Sequence, residues 1–217
     1  MSFKFGSKDY LNYLEYALER LNVDRERVTE LDSQLGDGDH MVNLSGGLEK
    51  VLQEKELLST LSFPDMLKKI GMILLQGVGG SSGLLYGSAY IYASKAMTLQ
   101  SELNEDNFEK FVTALNDEIM KRGQVKPGEK TMLDSLSEAL EYYKKSEGSS
   151  LSERILAFKE GALKGMLETE NMIAQKGRGR YHLNKGVGII DAGALTMCIQ
   201  LGCLSDKIIH KIESEED

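Results

Sequence analysis

Apolar residues recur along most of the chain at spacings of three and four. Leu11, Leu14, Ala17, Leu18 and Leu21 form one such stripe, and Val28 and Leu31 carry the same face onward; this period predicts a single long amphipathic helix. A second helix is expected over residues 43 to about 55. A third starts at Ser62, with Pro64 in its first turn, and stays apolar through Met66, Leu67, Ile70, Ile73 and Leu74. It ends in the run Gly77-Val-Gly-Gly-Ser-Ser-Gly83. Further helices are expected over about 84–98, 105–122 and 131–145, the last after the break at Lys126-Pro-Gly128. Ser150 and Glu153 make a capping box for a seventh, running to about residue 176, and an eighth follows from about Gly193. Alternating polar and β-branched residues are nearly absent. The fold class expected is therefore all-α, a bundle or barrel of about eight helices with short connections, in a single domain over 1–217. Tyr86, Tyr90 and Met72 stand at helical spacings and read as core, and the acidic run Glu213 to Asp217 as a frayed tail.

Composition narrows the function classes. Thirty-four acidic against 26 basic residues give a formal charge of −8, which argues against nucleic acid or an anionic membrane as the main partner. Apolar stretches such as 72–75 and 83–93 are too short or too interrupted to span a bilayer, and the first residues lack the apolar core of a signal peptide. A cytoplasmic protein acting on a small substrate or a protein partner is expected. Cys198 and Cys203 are the only cysteines and lie in an apolar segment, so they read as buried thiols.

Candidate chemistry falls in the gaps between helices. Asp32, Asp37 and Asp39 crowd into Glu30-Leu-Asp-Ser-Gln-Leu-Gly-Asp-Gly-Asp-His40, and three carboxylates that close repel one another unless a cation sits among them. Oxygen-only ligands favour Mg²⁺ or Ca²⁺ over zinc. The loop lacks the later oxygen ligands and closing Glu of an EF-hand, which leaves Mg²⁺ sharing phosphate oxygens as the natural reading. The bland alternative makes Asp39 merely the cap of the next helix. Gly77 to Gly83 offers backbone N–H groups ahead of a helix, suited to phosphate or simply to a close-packed joint. No P-loop occurs. Lys176-Gly-Arg-Gly-Arg180 is a basic run able to steady phosphate charge, or else a solvated loop. His40 is placed to contact a phosphate or to steady the aspartate loop, whereas His210 reads as surface.

Five ordered motifs then resemble one family. Gly36-Asp-Gly-Asp-His40 with Asn43, Gly79-Gly-Ser-Ser-Gly83 with Tyr86-Gly87, Pro127-Gly-Glu-Lys-Thr-Met-Leu-Asp134, Lys176-Gly-Arg178 and Asp191-Ala-Gly-Ala194 resemble the L subunit, the nucleotide-binding part of dihydroxyacetone kinases. The resemblance implies a barrel of eight antiparallel helices with the nucleotide at one rim. It implies that Asp32, Asp37 and Asp39 hold two Mg²⁺ ions bridging the phosphates of ADP or ATP. It places His40, Met41, Val42, Asn43, Ser81, Ser82, Gly123, Met132, Arg178, Asp191, Ala192 and Gly193 at nucleotide-contacting positions, with Arg178 steadying the transferring phosphoryl group. Fused kinases of this family carry a second, ketose-binding K domain, which this chain lacks. The implied partners are a separate K subunit that carries the ketose and a phosphocarrier protein of the phosphotransferase system that recharges ADP in place. Split kinases that exchange free ATP are the alternative, and a homodimer of the chain is compatible with either.

Three departures from the family pattern bear on detail. Met41 stands where the family has Gly, adding bulk expected beside the phosphates. Asp191-Ala192 replaces Asp-Pro, and His182-Leu-Asn-Lys-Gly186 replaces Leu-Gly-Glu-Arg-Ser after Tyr181. These altered loops leave room for a different ketose or partner, and for a competing reading: a noncatalytic module that binds Mg·nucleotide and regulates another protein. The kinase-like domain of fatty-acid kinases shares a related Asp-Gly-Asp signature, but His40 and the Gly-Gly-Ser-Ser-Gly context fit the L subunit better.

Overall fold

The computed structural model describes residues 3–214. Among them it places ten α-helices: α1 (Ser7–Val23), α2 (Arg25–Leu35), α3 (His40–Gln53), α4 (Lys55–Ser59), α5 (Phe63–Gly77), α6 (Gly80–Ala96), α7 (Glu105–Gly123), α8 (Met132–Lys145), α9 (Leu151–Glu168) and α10 (Ala192–Ser214). The fold is all-α. The one expected first helix is two, broken at Asp24, because the buried stripe Tyr10, Leu11, Leu14, Ala17, Leu21 ends there and α2 buries only Val28. The five-residue α4 was not expected either. A short ladder of β1 (Lys4–Phe5) with β2 (Leu103–Asn104) sets Phe5 opposite Leu103 and ties the N-terminal segment to the start of α7.

Local signals set several helix starts. The Ser62 hydroxyl accepts from the Asp65 N–H with Pro64 in the first turn, and Ser150 and Glu153 bond reciprocally at α9. Thr131 and Asp134 do the same at α8. At its far end α9 stops at Glu168, well short of residue 176, and a 3₁₀ turn, Thr169–Asn171, follows. Of the tail, Glu213 lies in α10, while residues 215–217 lie outside the described residues.

α1 packs on α3 and α10, α3 on α5, α5 on α6, α6 on α7, α7 on α8, α8 on α9, and α9 on α10, so the chain of neighbours returns to its start. The approach of α9 to α8 is close. A Cβ at Gly165 would lie 2.2 Å from the Asp134 carbonyl oxygen and one at Gly161 2.5 Å from that of Glu138, so larger residues there would force the helices apart. Edge-on rings fill the interior: Tyr10 meets Phe63 at 5.6 Å and Phe111 at 5.9 Å, and Phe108 meets Phe158 at 5.2 Å. Tyr86 and Tyr90 are buried, as expected, but Met72 is 43% exposed on the outer face of α5. α10 is long and apolar enough to cross a membrane by length and composition, yet 61% of its most apolar window is buried and it packs against α1, α8 and α9. Cys203 is buried, Cys198 half-buried and His210 exposed.

Candidate functional site

Four helices begin at one cleft of about 420 Å³. His40 opens α3, Gly80 opens α6, Met132 opens α8 and Ala192 opens α10, and all four line it. Helix starts carry N–H groups without intrahelical partners and the positive end of the helix dipole. Thr131 and Asp134 cap α8 and Asp191 caps α10, whereas α3 and α6 have no side-chain cap, so the last two starts facing one space make it a site for anions. The cleft also has an apolar side, formed by Leu84, Leu85, Ile119 and Val125.

Its acidic wall is the link from α2 to α3. Carboxylate oxygens of Asp32, Asp37 and Asp39 lie within 4.8 Å of one another, close to the ~4.2 Å that opposite oxygens span around one octahedral Mg²⁺. Backbone geometry produces this convergence. Gly38 adopts φ +74°, and a Cβ at Gly36 would sit 2.6 Å from Asp32 Oδ1; a side chain at either position would open the turn. Asp39 precedes α3 as its N-cap residue but makes no capping hydrogen bond. Asp32 Oδ2 accepts the His40 N–H instead, at 3.0 Å. The bland reading of Asp39 as a simple cap therefore fails, and its carboxylate is left without a structural task. An all-oxygen set of this spread, half-buried to exposed, fits a hard divalent cation that keeps part of its water or phosphate shell.

His40 is held from both ring nitrogens. Thr196 Oγ1 donates to the Gly193 carbonyl at 3.0 Å and so accepts from His40 Nε2–H at 2.8 Å, which assigns that tautomer and makes Nδ1 the acceptor of the Ser82 hydroxyl at 3.2 Å. Burial lowers the imidazole pKa against the opposing pull of Asp32 and Asp39. The ring thereby links the starts of α3, α6 and α10. Thr196 is wholly buried, and only its place one turn into an apolar helix could have flagged it.

The basic wall is the irregular segment between the 3₁₀ turn Thr169–Asn171 and α10. Arg178 pairs with Asp37 across the cleft while staying 68% exposed, and Lys176 and Gly177 line the same space. Asp191 caps α10, accepting the Ala194 N–H at 2.7 Å; burial raises its pKa to about 7, opposed by that hydrogen bond and by Lys130.

Of the residues singled out from the sequence, Asp32, Asp37, Asp39, His40, Asn43, Ser81, Ser82, Gly123, Met132, Arg178, Asp191, Ala192 and Gly193 all line the cleft. Met41 and Val42 do not. The Met41 side chain is fully buried in the core, so its bulk lies away from the cleft rather than beside the expected phosphates, and Val42 is 61% exposed. Lys130, the lysine of the Pro127–Asp134 motif, also lines the cleft; nothing in the sequence marks it for burial or gives it a role.

The chain is similar to known proteins over most of its length. A family model described as the DAK2 domain matches residues 34–206. The ADP-binding subunit DhaL of the PEP-dependent dihydroxyacetone kinase of Escherichia coli (strain K12) is 29% identical over 197 residues, covering 90% of this chain and 94% of that protein. The ADP-binding subunit DhaL of PEP-dependent dihydroxyacetone kinase 2 of Listeria innocua serovar 6a is 35% identical over 178 residues, covering 80% and 82%. Among solved structures, the dihydroxyacetone kinase from C. freundii in complex with AMP-PNP and Mg²⁺ matches with a TM-score of 0.70 and 20% identity, over 90% of this chain and 33% of that one. That match shows a shared fold.

Proposed function

The chain belongs to the DAK2-domain family, beside the ADP-binding DhaL subunits of dihydroxyacetone kinases, and from that membership we propose that it is the nucleotide-binding subunit of a multi-subunit kinase for dihydroxyacetone or a related small ketose. ADP or ATP occupies the cleft, its base toward Leu84, Leu85 and Ile119 and its phosphates toward the uncapped starts of α3 and α6. The observation that carries this reading is the convergence of those starts on three clustered carboxylates. A helix start alone would suit many anions; helix starts facing carboxylates suit an anion that arrives with its own cations.

Asp32, Asp37 and Asp39 would hold two Mg²⁺ ions, which when bound neutralise phosphate charge and orient the phosphates. The remaining work falls to the chain itself. Backbone N–H groups at the starts of α3 and α6 take phosphate oxygens, with the Ser81 and Ser82 hydroxyls beside them. Arg178 exchanges Asp37 for the transferring phosphoryl group and spreads its charge. Asn43, Gly123, Met132, Asp191, Ala192 and Gly193 shape the nucleotide's seat. Phosphoryl transfer asks for little beyond such positioning and charge balance.

The ketose sits on a separate K subunit, and a phosphocarrier protein of the phosphotransferase system recharges ADP without its release. Support comes from the relatives' names, PEP-dependent in two cases and PTS-dependent in Lactococcus lactis. The chain works in the cytoplasm as one domain, its main helices closed into a barrel with the cleft at one rim; the circular order of helix neighbours supports that closure. Reconstitution tests the assignment. The purified chain alone should phosphorylate no ketose with ATP, and adding a ketose-carrying K subunit with a phosphocarrier should restore turnover. Turnover by the chain alone would contradict the split-subunit reading.

A further inference from the structure

Residues 172–190 run from the 3₁₀ turn after α9 to the cap of α10 with only one further 3₁₀ turn, Gly179–Tyr181, between them. An irregular segment of this length needs anchors to keep one conformation. The strongest anchor lies outside it. Lys130 is 2% exposed, and its ammonium donates to the carbonyl oxygens of Thr169 and Ile189, which flank the segment at its two ends. One side chain thus closes the loop at its neck. Around this clasp, the Gln175 N–H reaches the Glu129 carbonyl at 3.3 Å, the Gly188 N–H that of Glu170 at 2.7 Å, and the Asp191 N–H the Thr169 hydroxyl at 3.0 Å.

The fit is tight. Gly186, at φ +78°, leaves room for the lysine: a Cβ there would lie 2.9 Å from Lys130 Cε and 3.1 Å from Leu35 Cδ2. Leu35 is the last residue of α2, next to the aspartate link. Lys130 itself holds φ +63°, a conformation that side chains seldom adopt. A buried ammonium costs folding energy unless it is hydrogen-bonded, and a strained, buried lysine serving only to fill space would be a poor solution that Leu or Met could improve.

We propose that Lys130 is a positioning residue: by clasping the two ends of segment 172–190 it seats Arg178 opposite Asp37. The effect on turnover rests on the kinase reading; the seating does not.

Limited trypsin digestion of the full chain tests the seating. Lys130→Met removes the clasp while keeping much of the volume, and Lys130→Gln removes its charge and shortens its reach while keeping a polar head. In both, cleavage after Lys176, Arg178, Arg180 or Lys185 should accelerate at least about tenfold, the minimum effect of losing a charged hydrogen bond that holds a segment closed. If Lys130→Met fails to fold, Lys130→Gln decides alone; a rate within about twofold of the parent in that variant overturns the proposal. In the reconstituted kinase, Lys130→Met should lower kcat with little change in ADP affinity, and adding it to Arg178→Met should cost nothing further. Losses that multiply would show that Lys130 does not act through Arg178. If the parent chain shows no turnover at all, the kinase reading fails while the digestion result still decides the seating.

Discussion

On the acidic side of the cleft, residues 36–39 separate α2 from α3; on the basic side, residues 172–191 separate a 3₁₀ turn from α10. Both present charge to the same space, yet they are held differently. The acidic wall is fixed from within, by Gly38 at φ +74° and by Asp32 accepting the His40 N–H. The basic wall is tied within itself too, the Ala174 N–H reaching the Lys185 carbonyl at 2.9 Å, but its two ends are held from without, by Lys130, Leu35 and Glu129, all distant in sequence. A wall fixed from within keeps its geometry whatever its neighbours do, which suits a metal site. A wall held at its neck can yield in its middle, which suits the exchange of Asp37 for a phosphate proposed for Arg178.

The comparison can be broken by treating each wall alone. Asp37→Asn should weaken Mg²⁺-dependent ADP binding about 100-fold or more while the thermal melt stays close to the parent; equal retention by calorimetry would remove the acidic wall's role. Arg178→Met should lower kcat of the reconstituted enzyme about 10²- to 10³-fold, with ADP affinity changed only a few-fold. A large loss of affinity instead would make Arg178 a binding residue and erase the distinction between the walls.

Smaller effects sharpen the account. Thr196→Val strands His40 Nε2–H in a buried site and should cost about 1–2 kcal/mol of stability in chemical denaturation, and a variant as stable as the parent would show that the ring is not tied to α10. Asp191 gives a pH signature. With its folded pKa near 7 against an ordinary 3.8, the folded chain keeps a proton that the unfolded chain has released between about pH 4 and 7. Its contribution is full below about pH 4 and is lost as pH rises through 7. Asp191→Asn, which still caps α10, should flatten that slope in the presence of a chelator by up to about 1.4 kcal/mol per pH unit between about pH 4 and 7. An unchanged slope would mean that Asp191 is ionised throughout.

The same contrast explains what could be read from the sequence. Ser150 marked a helix start because Glu153 lies three residues on, Ser62 because Pro64 follows it and Thr131 because Lys126-Pro-Gly128 breaks the chain before it, while the aspartates stood out because two glycines and three carboxylates fall within eight residues. Features decided by distant contacts stayed hidden. α9 ends at Glu168 rather than near 176 because the Thr169 carbonyl is taken by Lys130, 39 residues away. α6 starts at Gly80 because its first turn, weak in propensity, packs on Val78, where a Cβ at Gly83 would meet the carbonyl at 2.4 Å. Met41 follows the three aspartates yet turns into the core, since a residue beside a site shares its backbone and not its orientation. The resemblance to the L subunit drew attention to motifs that composition alone left silent, and the residues it named line one cleft except Met41 and Val42.

The central claim is that Asp32, Asp37 and Asp39 bind divalent ions together with a nucleotide in this cleft. Crystals of the chain grown with ADP and Mn²⁺ in place of Mg²⁺ would test it through anomalous scattering. Two anomalous peaks within coordination distance of these carboxylates, with the nucleotide phosphates against the starts of α3 and α6, are the result expected. ADP bound with no anomalous peak at the three aspartates would contradict it.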